Sequence, residues 1–225
     1  MSGVTIAVVS PGDMGHVVGS VLAEKGYSVI TSLEGRSDAS RIRAERSGMR
    51  DTESLESLIR EANYVLSIMP PEKAAEFAKE ASAMMRFSGH FPVFADCNAV
   101  SPATTLEIQS MVAGAGADFV KIGIIGPPPR KGVTTRFYAS GPHTDQLEFL
   151  DGNGISYRPL GKEITRAAAL KMCYAGLTKG TWTLHTSLLL AAEKMGVRQV
   201  LLQEFANSQV DDLRRMEKCL PFIPD

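Results

Sequence analysis

Cysteine is scarce in this chain. Cys97, Cys173 and Cys219 are its three cysteines in 225 residues. They are widely spaced, with no short pairing of the kind that holds zinc, and three are too few for a disulfide scaffold. Read as reduced thiols, they point to a cytoplasmic protein. The four histidines, His16, His90, His143 and His185, stand singly, so no metal site is expected. Net charge is lacking too: 24 basic against 25 acidic residues leave a formal −1. No global field then draws the chain to nucleic acid or to an anionic membrane. No apolar run reaches the roughly 18 residues of a membrane span. A first strand beginning at Val4 leaves no room for a signal peptide. Repeats and low-complexity segments are absent, and the composition, 44% hydrophobic and 22% charged, is that of a globular protein.

What is present begins at the start of the chain. Val4-Thr5-Ile6-Ala7-Val8-Val9 is a short apolar run. It leads into Ser10-Pro11-Gly12-Asp13-Met14-Gly15, then into a helical pattern over 17–26 and a second apolar run at Tyr27-Ser28-Val29-Ile30. The order strand, glycine turn, helix, strand presents backbone N–H groups and a helix N-terminus to a pyrophosphate. Gly12 lets the backbone approach the phosphates, and Gly15 lets helix pack on strand. Ser10 stands where the fingerprint has its first glycine. Ser10, Pro11, Gly12, Asp13, Met14 and Gly15 are therefore candidate cofactor residues, joined by Met69 and Pro70 at the end of a later apolar run.

For NAD, an acidic residue is expected at the end of the second strand. Thr31 and Ser32 stand there instead, followed by Arg36 and Ser37, with Arg41 and Arg43 just beyond. A guanidinium and a hydroxyl suit a 2′-phosphate, which favours NADP. Glu34 is the dissenting residue, since a carboxylate in that loop suits a ribose diol.

The chain divides near residue 160. Residues 1–160 alternate strands (64–69, 92–95, 118–125, 134–139, 155–158) with helices (37–48, 52–61, 72–85 and one opened by Ser101-Pro102). This predicts a doubly wound α/β sheet with a mostly parallel core. Residues 161–225 are expected to be all-α. One long helix over 162–195 carries Trp182, Leu184, Leu188, Leu189 and Leu190, and is apolar on most faces. A helix apolar nearly all round must be buried nearly all round. The short remainder cannot cover it, so a homodimer centred on residues 175–205 is expected.

Ser-x-Gly-x-Met-Gly at 10–15, Asp96-Cys97-Asn98-Ala99-Val100-Ser101-Pro102, Ile124-Ile125-Gly126-Pro127 and Ala169-Leu170-Lys171-Met172 occur in this order. The set resembles the β-hydroxyacid dehydrogenases, which include 3-hydroxyisobutyrate and 6-phosphogluconate dehydrogenases. Within them it is most similar to a branch described only as NAD(P)-binding and phosphogluconate-dehydrogenase-like. The resemblance implies that Lys171 sits beside the nicotinamide and assists proton transfer at the reacting oxygen. It also implies dimerisation through the helical region.

The departures are informative. An asparagine one turn after the lysine is replaced by Ala175. The histidine, asparagine and glutamate of phosphogluconate dehydrogenases fall on Tyr174, Ala175 and Thr178, which argues against phosphogluconate. Tyr174, Thr178 and Lys179 are candidates for the missing polar groups. The serine of Asp-x-Ser-Thr becomes Asn98, and the Gly-Gly substrate anchor becomes Gly126-Pro127, with one backbone donor fewer. Arg130, Lys131 and Arg136 either hold an anionic substrate or form an exposed basic loop. The expected activity is hydride exchange between NADP(H) and a small hydroxy or oxo acid. The alternatives are an imine reductase-like enzyme and a non-catalytic NADP-binding redox sensor.

Overall fold

The computed structural model describes residues 3–130, 132–212 and 214. Lys131 and Cys219 lie outside the described residues. Contacts divide the chain into two compact units, the first ending at Met172 and the second starting at Cys173.

The first unit is built on eight strands: β1 (Thr5–Val9), β2 (Ser28–Thr31), β3 (Arg50–Asp51), β4 (Tyr64–Ser67), β5 (Val93–Asp96), β6 (Phe119–Ile125), β7 (Thr135–Ser140) and β8 (Ile155–Pro159). They form one sheet in the order β3-β2-β1-β4-β5-β6-β7-β8. Neighbours are parallel except β6 and β7, which run antiparallel. The helices are α1 (Gly15–Glu24), α2 (Asp38–Arg46), α3 (Leu55–Glu61), α4 (Ala74–Ser88), α5 (Pro102–Ala115) and α6 (Arg166–Ala175), the last running on into the second unit.

The central strands β1, β4 and β5 are nearly continuous apolar runs because both faces are covered, whereas β7 and β8 alternate. In β1, Ile6 and Val8 enter one core with Val18, Leu22 and Leu66. Ala7 and Val9 enter the other core with Leu58, Phe77 and Ile108. The fold is therefore the doubly wound sheet read from the alternation, followed by a helical region.

One local expectation holds to the residue: Ser101 caps α5 with Pro102 in its first turn. The helix expected over 37–48 is α2, Asp38–Arg46, capped by Ser37. Other features were not foreseen: the two-residue β3, the reversal at β7, and a 3-10 segment at Thr144–Leu150 that carries the crossover from β7 to β8. Lys25, at the end of α1, donates to the carbonyls of Phe149 and Leu150 at 3.0 Å each and pins that crossover. The long helix begins at Arg166 rather than 162. Just before it, the Glu163 carboxylate accepts from the Thr165 amide at 3.2 Å and from its hydroxyl at 2.8 Å, closing a turn.

In the second unit the helical path continues through a wider π turn, Gly176–Gly180, into α7 (Thr181–Lys194), followed by α8 (Arg198–Ser208). Leu189 and Ala192 are buried, but Leu177 is 77% and Leu190 60% exposed, and Leu184, Leu188 and Val200 are exposed as well. An apolar hollow of about 310 Å³ lies between α7 and α8, lined by Leu188, Leu189, Ala192, Leu201 and Phe205.

Candidate functional site

The turn after β1 is shaped by one close approach. A Cβ on Gly15 would lie 2.3 Å from the Ser10 carbonyl oxygen, so only glycine lets α1 start this near the end of β1. Ser10 has φ of 70°. It adopts the left-handed conformation that the first glycine of the fingerprint normally takes, at a strain of about 1–2 kcal/mol for a side-chain-bearing residue. Pro11 is buried beneath the turn. A Cβ on Gly12 would meet nothing within 4 Å, so this position faces open space.

The start of α1 is also electrically open. Helices α2, α3 and α5 are capped by Ser37, Ser54 and Ser101, whose hydroxyls accept from backbone N–H groups at 3.4, 3.1 and 3.1 Å. Helix α1 has no side-chain cap and no acidic residue in its first turn. Its free N–H groups and dipole are left for an anion. Asp13, the one acid in the turn, is paired with Arg43 of α2 at 3.0 Å.

Ser10, Gly12, Met14, Ile68, Met69 and Pro70 border a hollow of about 220 Å³ at the carboxyl ends of β1 and β4. Chain order reverses between these two strands, which makes this the topological switch point of the sheet. A second hollow of about 300 Å³ shares Met69 and Pro70 and is bounded by Arg36, Lys73 and Phe77. The arginines after β2 separate by their partners. Arg41 donates to the Leu33 carbonyl at 2.8 Å and Arg43 holds Asp13, whereas Arg36 lines the second hollow. Ser37 spends an acceptor lone pair on the cap of α2. Glu34 is exposed. The acid nearest the end of β2 is Asp51, unmarked in the sequence reading, whose Oδ1 accepts from the amides of Leu33 and Glu53 at 3.0 Å each. A larger hollow, about 900 Å³, runs between Val17, Ser20 and Glu24 of α1 and the loop carrying Arg130, and contains none of the motif residues.

Asn98 is buried and its side chain is fully engaged. Its Nδ2 donates to Asp96 Oδ1 at 2.7 Å and to Ser67 Oγ at 2.9 Å, and its Oδ1 accepts from the Met69 amide at 2.7 Å. Beneath it, Lys121 and Asp96 form a wholly buried ion pair at 2.6 Å. Sequence reasoning passed over Lys121, although a lone charge within the apolar Phe119–Ile125 run is a visible signal. Cys97, beside this pair, is held as a neutral thiol: burial, then the Asp96 charge, pushes its pKa up, against a smaller pull from Lys121.

Gly126 ends β6 exposed, with φ of 124°. Gly123, also unmarked in the sequence, is where α6 crosses β6. A Cβ there would lie 2.6 Å from the Ala167 carbonyl oxygen and 3.4 Å from the Cβ of Lys171. The absent side chain is what seats the half-buried Lys171 over the strand. In the second unit, Tyr174 is exposed, and the Thr178 hydroxyl donates to the Tyr174 carbonyl at 2.9 Å within the helix.

A model of the NAD-binding domain of 6-phosphogluconate dehydrogenase matches residues 5–145, more than half of the chain. The chain belongs to that family. Among solved structures, this family member is similar to a conserved protein of unknown function that was itself described as similar to 3-hydroxyacid dehydrogenases. The two share 27% identity at a TM-score of 0.72, over 96% of this chain and 82% of that one. Two further likenesses bear on the fold alone. The 3-hydroxyisobutyrate dehydrogenase of Mycobacterium tuberculosis has 18% identity and a TM-score of 0.69, over 92% of this chain and 71% of that one. An imine reductase variant of Myxococcus stipitatus in complex with NAD+ has 13% identity and a TM-score of 0.70, over 98% and 77%. Dinucleotide binding thus has both a family and a fitting cradle: the open Gly12, the uncapped α1 and the switch-point hollow.

The strain at Ser10 gives a direct test. Ser10→Gly should raise stability by about 0.5–1 kcal/mol, relief of the left-handed strain outweighing the extra freedom of glycine in the unfolded chain. Urea unfolding measures this, and an unchanged or lower midpoint would contradict the geometry.

Proposed function

We propose that this protein is an NADP-preferring oxidoreductase that exchanges a hydride with a small, carboxylate-bearing hydroxy or oxo compound, with Lys171 assisting proton transfer. The single observation that carries the reading is the uncapped start of α1 at the switch point, within a chain of the 6-phosphogluconate dehydrogenase NAD-binding family. The bound dinucleotide would supply the hydride acceptor or donor. The chain's own residues do the rest. Backbone N–H groups of residues 13–15 take the pyrophosphate, while the Gly12 N–H donates to the Ser10 carbonyl at 2.8 Å and closes the turn. Arg36, with Ser37 beside it, takes the 2′-phosphate. Met69 and Pro70 form the wall between the two hollows.

Hydride loss from a carbinol carbon requires the hydroxyl proton to leave as well, and a positioned amine serves as its acceptor. Lys171 has the needed environment: half-buried, and seated on β6 by Gly123. Gly126, Tyr174 and Thr178 are the proposed substrate contacts, with Asn98 acting from behind.

Imine reduction is the second reading, favoured by the likeness to an imine reductase at a TM-score of 0.70. Lys171 speaks against it. An ammonium stabilises a developing alkoxide, but it repels the cationic iminium form in which an imine accepts hydride. A non-catalytic redox sensor is the third reading; it would bind NADPH and turn nothing over. Supplying NADPH with a panel of small 2- and 3-oxo acids, and separately with cyclic imines, and following its oxidation separates the three readings: oxo acids alone are reduced by a hydroxyacid dehydrogenase, imines alone by an imine reductase, and neither by a sensor that still binds NADPH.

NADPH should bind more tightly than NADH, and Arg36→Ala should remove most of the difference, about 1–3 kcal/mol for a charge-assisted contact. Equal affinities in the unmutated protein, measured by calorimetry, would refute the preference. Lys171→Met should slow turnover about a hundredfold or more with cofactor affinity nearly intact. Unchanged turnover would reassign the proton to Lys179 or Tyr174.

The bare apolar faces of α7 and α8 support a homodimer formed through residues 175–205, since exposed apolar surface on this scale marks an interface. Light scattering at micromolar concentration should give twice the chain mass; a monodisperse monomer would sink the assembly.

A further inference from the structure

Lys121 and Asp96 are both wholly buried, at 0% and 1% side-chain exposure. Two charges in such a place cost several kcal/mol each in lost hydration, and apolar residues of similar volume commonly serve a core as well or better. Stability alone therefore gives no reason for the pair. Its hydrogen bonds suggest another. The Lys121 ammonium donates to Asp96 Oδ2 and to the Asn98 carbonyl, both at 2.6 Å. Asp96 Oδ1 accepts from the Asn98 amide at 3.2 Å and from its Nδ2 at 2.7 Å. That arrangement fixes the orientation of the Asn98 side chain. Nδ2 must face the carboxylate and Ser67 Oγ, and Oδ1 must face the Met69 N–H. The path runs from β6 through the end of β5 to the residues just past β4. It ends on the backbone of Met69, which with Pro70 borders both hollows of the cofactor groove.

We propose that Lys121 and Asp96 are positioning residues that act through Asn98 to hold the Met69–Pro70 backbone as a fixed wall of the dinucleotide groove. The inference rests on the reading of that groove as an NADP(H) site. On this view the buried pair lowers the cost of ordering the wall when the cofactor binds, and its removal is felt in affinity more than in stability. Asn98 makes these contacts from two separate atoms, Oδ1 to the Met69 amide and Nδ2 to the carboxylate and Ser67, a span that the single oxygen of the shorter serine, which the resembled family places at position 98, does not have. The asparagine and the buried lysine thus form one device.

The test uses NADPH as probe and the full chain. Asn98→Ala removes only the side-chain link and leaves the Asn98 carbonyl contact to Lys121 in place. Asp96→Leu with Lys121→Met replaces both charges by apolar groups of similar size. Each should weaken NADPH at least tenfold with a melting temperature within a few degrees of the parent. Amide exchange at Met69 should rise while that of Val65 and Leu66 stays slow. Combining all three substitutions should weaken NADPH no further than Asn98→Ala alone, because the effects share one path. Unchanged NADPH affinity in Asn98→Ala, or effects that multiply in the combined variant, would overturn the proposal. Should the double replacement not fold, Asn98→Ala alone decides, since a merely structural role lowers the melting temperature and leaves the affinity of the folded protein as it was. A parent protein that binds no NADPH would instead refute the cofactor reading itself.

Discussion

One contact sets the geometry of the cofactor half: Gly15 pressed against the carbonyl of Ser10. Because α1 begins within touching distance of the end of β1, its uncapped N-terminus stands at the switch point, between the diverging paths to β2 and β4. The same contact dictates the conformation upstream. The chain must leave β1 sharply, and Ser10 takes up that demand at a positive φ. A central strand buried on both faces can sustain such strain, because β1 cannot shift to relieve it without disturbing two cores at once. The geometry of this turn is thus a consequence of where the sheet is buried on both faces.

The sequence was most legible where structure is local. Ser37, Ser101 and Pro102 mark helix starts because a cap is a bond between residues three apart. The central strands are visible because burial on both faces forces a nearly unbroken apolar run. The direction of β7 was not visible, since alternation reports that a segment is extended, not which way its neighbour runs. Asn98 shows a different limit. Its place in the Asp96–Pro102 motif marks it as part of a site, yet its task depends on Ser67, Met69 and Asp96, which only the parallel stacking of β4 and β5 brings together. The proposed role of Lys171 rests on family resemblance, and the glycine of β6 against which its helix packs was not marked in the sequence.

Charges near the groove sort in the same way. Of the arginines that follow β2, Arg36, Arg41 and Arg43 come first, and the sequence marks Arg36 as the phosphate candidate. In the fold, Arg43 neutralises Asp13, which would otherwise place a carboxylate beside the pyrophosphate cradle, and Arg41 ties down the loop through the Leu33 carbonyl. Arg36 is the one that lines the groove. The loop therefore separates three electrostatic places: a cation paired with an acid, a cation bound to the backbone, and a cation at the edge of the hollow, which on the proposed reading faces the ligand.

Several departures from ordinary folding rules gather at the switch-point end of the sheet. A strained serine, a helix start without a cap, a buried ion pair, an asparagine with every bond spent, and a glycine against which a helix backbone rests all belong to β1, β4, β5 and β6 or the turns that leave them. Elsewhere in the first unit α2, α3 and α5 carry serine caps and the strands' apolar residues fill two cores, although α4 too lacks a side-chain cap and Glu53 and Asn153 also take positive φ. Strain and buried charge both cost stability, and a fold retains them where rigidity is worth more than the free energy given up. On the reading proposed above, what these features hold is the outline of the groove: Ser10 and Gly15 on one side, and Lys121, Asp96 and Asn98 acting through Met69 on the other. Two walls held by unrelated devices from opposite sides of the switch point would leave a flexible, highly charged dinucleotide to bear the ordering cost alone, with none added by the protein.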